Sequence, residues 1–237
     1  MNYDTSVFKK NLHELNIDLS DNQVNQFLTY YEMLIDKNKV INLTAITDFD
    51  EVVEKHFIDS LALIKIINLD QQLSILDLGT GAGFPGIPLK IAFPKLKVIL
   101  ADSLNKRLVF LDEVISSLDL KNISTVHGRA EDLARMNLYR ENFDLCVSRA
   151  VANLSTLSEY CIPFVKVGGQ FISYKSAECN KEVDNARHAI SLLGGKVKEI
   201  QKFEIGDSGR AFVSILKEKS SPKKYPRKAG VPSKMPL

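Results

Sequence analysis

The segment from Ser74 to Phe93 constrains the fold more than any other part of the chain. Ile75-Leu76-Asp77-Leu78 is a short apolar run, and the glycine-rich turn Gly79-Thr80-Gly81-Ala82-Gly83 follows it directly. A helix of about 10 residues, with Pro85 and Pro88 in its first turns, then runs towards Phe93 and stops before Pro94. A strand, a tight turn and a helix in that order open a β-α-β unit, because parallel strands can be joined only by a long crossover. The pattern then repeats. Val98–Ala101 reads as a strand ending at Asp102, and a helix follows from about Lys106 to Leu118. Ile123–Val126 is a third strand with a loop at Gly128–Asp132, and Phe143–Val147 is a fourth, ending at Ser148-Arg149. A helix over Leu154–Phe164, a turn at Gly168-Gly169 and a fifth strand at Phe171–Tyr174 come next. Lys196–Phe203 and Ala211–Leu216 are close enough in sequence to pair as an antiparallel end. The expectation is an α/β fold with a mostly parallel seven-stranded sheet, helices on both faces, and ligands at the carboxyl ends of the strands.

The flanking regions differ in character. Residues 1–70 form an N-terminal helical extension with no alternating pattern. Val24, Phe27, Leu28, Tyr31, Leu34 and Ile35 recur at helical spacing from near Asp21 to near Asn38. After the polar break Asn42–Thr47, Asp50 is expected to cap a second helix with Val53, Phe57 and Leu61 on one face. The sheet region is assigned to residues 71–217. Residues 218–237, with Lys217 just before them, form a basic tail; residues 217–237 hold a charge of +6 in a chain of net +2. Four prolines exclude one long helix there. Such a tail either lies along a phosphate backbone, gaining affinity by counterion release, or is a disordered solubilising segment.

Other features narrow the class. No apolar run reaches the roughly 18 residues of a membrane span. Met1-Asn2-Tyr3-Asp4 lacks the basic start of a secretory signal, so a cytoplasmic protein is expected. Cys146, Cys161 and Cys179 form no CxxC pair, and the four histidines form no HExxH. Reduced structural thiols and no metal site are expected.

The glycines at 79, 81, 83 and 86 can be spelled GxGxG or GxGxxG, and the second spelling is a weak dinucleotide signal by itself. Asp102, 21 residues after Gly81 at the next strand end, can accept hydrogen bonds from ribose hydroxyls. That ribose belongs to NAD and to S-adenosylmethionine alike. Asp77 separates them better: a carboxylate beside the loop suits backbone N–H groups or the methionine ammonium and repels a pyrophosphate. The loop Arg129-Ala130-Glu131-Asp132 is positioned to meet an adenine edge, with Glu131 and Asp132 both open as the acceptor.

Longer ordered segments complete the picture. These are Asn42–Ile46, His56-Phe57-Ile58-Asp59-Ser60-Leu61, Asp77–Pro88, Asp102-Ser103, Lys106-Arg107, Gly128–Glu131, Ser148-Arg149-Ala150-Val151-Ala152, Gly168-Gly169, Lys175 and the terminal Tyr225-Pro226-Arg227-Lys228-Ala229-Gly230-Val231-Pro232. On these residues the chain resembles the small-subunit ribosomal RNA methyltransferase G family, also called glucose-inhibited division protein B. Ser176, where a smaller residue such as Gly is expected after Lys175, is a mild departure. The resemblance implies a class I methyltransferase (Rossmann-like) sheet and S-adenosylmethionine as cofactor. It also implies methyl transfer to N7 of guanosine 527 in 16S ribosomal RNA or the small ribosomal subunit.

The site expected on this reading has Arg149 as the active-site orienting residue, contacting guanine O6 or a phosphate and not N7 itself. Asp77, Gly79, Thr80, Gly81, Gly83, Phe84, Asp102, Ser103, Ala130, Glu131 and Arg149 are expected at the cofactor. Asn42, His56, Lys106, Arg129, Lys175, Arg210 and Arg227 are expected on the RNA side. Guanine N7 has a free lone pair and no proton, so the displacement needs positioning and no general base. The competing readings are an NAD-dependent oxidoreductase and a noncatalytic ribosomal RNA-binding or assembly protein. Nothing in the sequence demands a dimer, and a monomer is expected.

Overall fold

The computed structural model describes residues 3–149 and 152–237; Ala150 and Val151 of the motif above lie outside the described residues. The N-terminal extension holds α1 (Ser6–Glu14) and α2 (Asp21–Ile41). A capping box starts α2: the Ser20 side chain accepts from Gln23 N while Gln23 accepts from Ser20 N. Asn42 ends it in the left-handed conformation. The next cap is Asp48, whose carboxylate accepts from Glu51 N at 3.1 Å, so Asp50 falls inside the first turn instead of before it. α3 (Phe49–Val52) runs into a π-helical turn, Val53–Ile58, and then into α4 (Asp59–Leu61) and a 3-10 turn. π-Helical turns are uncommon and frequently sit at functional sites.

The sheet strands are β1 (Ser74–Leu78), β2 (Lys97–Asp102), β3 (Ile123–His127), β4 (Phe143–Arg149), β5 (Val165–Ser176), β6 (Gly195–Ile205) and β7 (Ser208–Lys217). Their spatial order is β3-β2-β1-β4-β5-β7-β6. The first five pair in parallel, and β7 slots antiparallel between β5 and β6. Helices α5 (Gly86–Ala92), α6 (Asn105–Ser117), α7 (Ala130–Leu133), α8 (Leu154–Cys161), α9 (Asn180–Leu192) and α10 (Val231–Lys234) complete the fold. Besides the Asp50 cap, two local expectations fail and one helix lies where none was assigned. The loop at Gly128–Asp132 contains the short helix α7, the turn at Gly168-Gly169 lies inside the long strand β5, and α9 was not anticipated. The Gly168 kink (φ 86°) accompanies a register shift against β4, so the strand bends without ending.

Side-chain alternation divides the core into two layers. Ile75, Leu145, Val147, Ile172 and Phe212 face a cluster that includes Phe8, Phe27, Tyr30 and Phe57 of the extension. Leu76, Leu78, Cys146, Phe171 and Val213 face α8, α9 and Tyr225 of the C-terminal segment. The extension therefore shares one core with the sheet. All three cysteines are free and buried.

Asp77 organises the glycine loop from the end of β1. Its Oδ2 accepts from Thr80 Oγ1 at 2.7 Å and from Gly86 N at 2.8 Å, closing the loop at both ends. Gly86 has no room for a side chain: a Cβ would lie 2.8 Å from Asp77 Oδ2 and closer still to Leu100 Cδ2. Gly86→Ala is expected to lower the unfolding free energy by about 1–3 kcal/mol through overpacking, measured as a lower urea midpoint at unchanged m-value.

Candidate active site

Two cavities open at the carboxyl ends of the parallel strands. The first, about 460 Å³, is lined by aromatic and apolar groups including Ile46, Tyr174, Phe203 and Phe212, with Lys55, His56, Asp59, Arg149, Lys175 and Arg210 among its polar lining. Arg149, at the end of β4, is held from several sides. Its Nη1 donates to Asp59 Oδ2 at 2.7 Å and to Lys55 O at 3.1 Å, and its guanidinium lies 5.1 Å from the Phe84 ring centroid. Asp59 Oδ1 accepts from Arg210 Nε at 3.0 Å, so one buried carboxylate orients two guanidiniums, one from β4 and one from β7. Breaking a buried pair of this kind leaves an uncompensated charge and is strongly destabilising.

His56 stacks on Phe84 at 4.6 Å between centroids. Burial, and next the Arg149 charge, push its pKa down to about 4, so the ring is neutral near pH 7. Its Nδ1 lies 3.3 Å from Arg149 Nη2, and its Nε2 lies 2.8 Å from Thr44 Oγ1. A guanidinium can only donate, so Nδ1 as acceptor pairs with Arg149 and Nε2–H then donates to Thr44, whereas Nδ1–H would donate to Lys55 O. Lys55 O, 3.1 Å from Nδ1, also accepts from Arg149 Nη1. The π-helical turn sets His56 and Asp59 at the spacing that lets both reach Arg149.

The second cavity, about 540 Å³, is lined by Leu78, Gly79, Asp102, Ser103, Arg107, Arg129, Ala130 and Glu131 among others. Between the cavities runs the glycine loop. Gly79 and Gly81 have φ of 72° and 62°, and a Cβ on Gly81 would meet only Gly79 O, at 4.0 Å. The loop is thus bare towards a ligand. Asp77 Oδ1 is buried without a hydrogen-bond partner, and burial raises this carboxyl's pKa to about 6. Asp102 accepts from Gly81 N at 3.0 Å, Leu104 N at 2.9 Å and Arg107 Nη1 at 3.2 Å. A carboxylate has about four lone-pair sites, leaving one for a ribose hydroxyl and a second if Arg107 moves away. An open glycine loop, an unpaired buried carboxylate and an acidic strand end fit a nucleoside that carries a cationic amino acid, as S-adenosylmethionine does.

The expected residues distribute unevenly. Gly79, Asp102, Ser103, Ala130 and Glu131 line the second cavity, while Asp77, Thr80, Gly81, Gly83 and Phe84 form the loop between the cavities. Arg149, His56, Lys175 and Arg210 line the first. Glu131 is buried and faces the second cavity, whereas Asp132 is exposed outside it.

Four residues expected on the RNA side sit elsewhere. Arg129 lines the second cavity; Lys106 is exposed on α6 and lines neither; Asn42 serves as the helix C-cap. Arg227 is paired with Glu159, donating from Nε at 3.0 Å and from Nη2 at 2.7 Å, away from the first cavity. The residue that sequence reasoning missed is Asp59. It stands one helical turn after His56, but no sequence pattern shows which charges a buried carboxylate will meet. Tyr160 and Ser233, which also line the second cavity, were unmarked, and Gly230 was marked only as part of the terminal segment.

Comparison with known proteins agrees with this geometry. A family model described as rRNA small subunit methyltransferase G matches residues 23–211. The chain belongs to that family. "Ribosomal RNA small subunit methyltransferase G" of Lachnoclostridium phytofermentans is 52% identical over 236 residues, covering 99% of this chain and 98% of that protein. The Staphylococcus carnosus protein of the same name is 50% identical, covering 95% of each. Among solved structures, a SAM dependent methyltransferase from Aquifex aeolicus shares the fold with a TM-score of 0.54 at 20% identity, over 77% of this chain and 98% of that one. P. horikoshii TYW2 in complex with MeSAdo aligns with a TM-score of 0.55 at 14% identity, over 69% and 63%. The mostly parallel sheet with its antiparallel end is thus the expected class I methyltransferase architecture, and the family is the one that the sequence resembles.

The neutral His56 has a measurable signature. Its folded pKa lies below its unfolded value of about 6.5. The unfolded chain therefore takes up the proton first, and stability is lost as pH falls from about 6.5 towards 4. His56→Gln is expected to remove about 2–3 kcal/mol of that decline across the window, seen by comparing urea unfolding of the two proteins from pH 7 to pH 4.

Proposed function

We propose that the chain transfers a methyl group from S-adenosylmethionine to N7 of guanosine 527 in 16S ribosomal RNA, free or within the small subunit. The observation that carries this reading is the pair of cavities on either side of one glycine loop, with Arg149 in the wall of the first and packed on Phe84 of that loop. The second cavity takes the nucleoside end of the cofactor: Asp102 meets the ribose, and Ala130 and Glu131 meet the adenine. When bound, the cofactor supplies an electrophilic sulfonium methyl group. The first cavity takes an unstacked guanine, its aromatic and apolar walls suiting a flat base.

Within that arrangement the residues orient and exclude water. No side chain needs to accept a proton from N7, and His56 already has both ring nitrogens engaged by Arg149 and Thr44. Arg149 donates to the guanine O6 edge or an adjacent phosphate, and Asp59 is its positioning residue. Arg210 and Lys175 contribute positive charge at the rim, where phosphate contacts set register and base contacts select guanine. The Asp77 carboxylate must be ionised to favour a cationic ligand.

The direct test is labelled methyl transfer to purified small subunits and to their RNA, with mapping of the modified nucleotide. One methyl group at N7 of guanosine 527 is expected, and modification at another nucleotide overturns the assignment. Asp59→Asn is expected to lower kcat by about 10–100-fold with cofactor affinity within threefold of the parent; equal losses in both would make Asp59 merely structural. Cofactor affinity should fall as pH drops through about 6, because protonation of Asp77 removes the charge. Asp77→Asn should bind weakly at every pH and flatten that profile.

A further inference from the structure

The basic C-terminal segment is ordered against the body of the protein. Its stem is tied by Arg140, which donates from Nη1 to Tyr225 O at 3.0 Å and from Nη2 to Ser221 O at 2.8 Å. Tyr225 is buried in the second core layer. Glu159 on α8, fully buried, then receives bonds from three donors of one residue: Arg227 N at 2.7 Å, Nε at 3.0 and 3.1 Å to its two oxygens, and Nη2 at 2.7 Å. Arg227 Nη2 also donates to Met235 O at 2.7 Å, and Thr156 Oγ1 donates to Pro232 O at 3.1 Å, so the segment curls back over α8. The curl brings Gly230 and Ser233 onto the second cavity, where Gly230 N donates to Glu131 Oε1 at 2.9 Å. The lysines of the segment, Lys223, Lys224, Lys228 and Lys234, remain exposed.

We propose that this segment is a wall of the cofactor site and that Arg227 and Glu159 are positioning residues that clamp it there, so that the docked fraction of the segment sets cofactor affinity. The inference rests on reading the second cavity as the S-adenosylmethionine site. Glu131 is held on one side by the Gly230 N–H and faces the cavity on the other. Undocking therefore both opens the wall and frees the carboxylate to reorient. A ligand that needs the docked form binds more weakly by the fraction of molecules that have it. The ligand in turn must raise that fraction by the same factor. The charge-assisted, bidentate geometry of the clamp makes it the contact most worth breaking.

The experiment uses the full-length protein, with calorimetric titration of S-adenosylmethionine, hydrogen exchange of residues 222–235, and binding of a 16S-derived RNA hairpin containing the target guanine. In the parent protein, cofactor should slow exchange in the segment. Arg227→Met should speed that exchange and weaken cofactor binding about tenfold, while RNA affinity at saturating cofactor and its salt dependence stay within twofold. Arg227→Lys, which keeps one ionic contact, should fall between the two and serves if Arg227→Met does not fold. Rapid exchange in the segment with cofactor affinity unchanged overturns the inference. So does a loss confined to RNA binding with a shallower salt slope, the mark of a phosphate contact. So does continued protection of the segment in both variants. No binding heat in the parent protein would instead overturn the reading of the cavity itself, and the clamp with it.

Discussion

The arrangement of the site depends on one buried carboxylate. Asp77 sits at the end of β1 and takes hydrogen bonds from Thr80 and Gly86, the two shoulders of the glycine loop. That folds the loop into a fixed arch, and the extension reads the arch from the other side: Tyr30 donates to Ala82 O, and a side chain on Gly83 would strike the Tyr30 hydroxyl. Phe84 follows at once in the chain and stacks with His56 and Arg149. A single strand-end charge thus fixes the loop, the loop fixes an aromatic ring, and the ring supports two groups that line the first cavity. Keeping such a charge buried with one oxygen unpaired is costly. That cost is tolerable where a ligand supplies the missing partner.

The first cavity has a surplus of positive side chains, yet each has a carboxylate already. Arg149 and Arg210 share Asp59, Lys175 bonds to Glu182, and Lys55 bonds to Glu51. The guanidiniums and ammoniums are therefore held in place by acids of the protein itself. A phosphate entering this rim exchanges partners with an existing acid instead of ordering a free side chain, which reduces the entropic cost of binding. Sharing one acid between two arginines leaves the pair with a net positive charge, and the approach to the cavity remains attractive to an anion.

Much of the fold was legible because periodicity and turn chemistry are local. The strand-glycine-helix unit, the antiparallel end and the buried face of α2 follow from residues adjacent in sequence or one turn apart. The failures were also local in cause. Asp48 displaced Asp50 as a cap because the backbone turned two residues earlier, and Gly168-Gly169 kinked a strand where a turn was expected. The site was legible only in its glycines and strand-end acids. Partners such as Asp59 with Arg210, or Arg227 with Glu159, join residues far apart in the chain. Charge and proline content describe the C-terminal segment equally well as a free tail or a docked one. Only tertiary structure shows that Glu159 is there to receive Arg227.

The insertion of β7 between β5 and β6 has a consequence for biogenesis. During synthesis β6 emerges with no edge to join, since the strand that separates it from β5 has yet to be made. Arg210 arrives on that same late strand, 151 positions after the acid it must meet. The first cavity, lined in part by Arg210, Ala211 and Phe212 of β7, therefore cannot be complete until that last strand is in place. Long-range closure of this kind is slow, and the wall that these three residues supply is completed only with it.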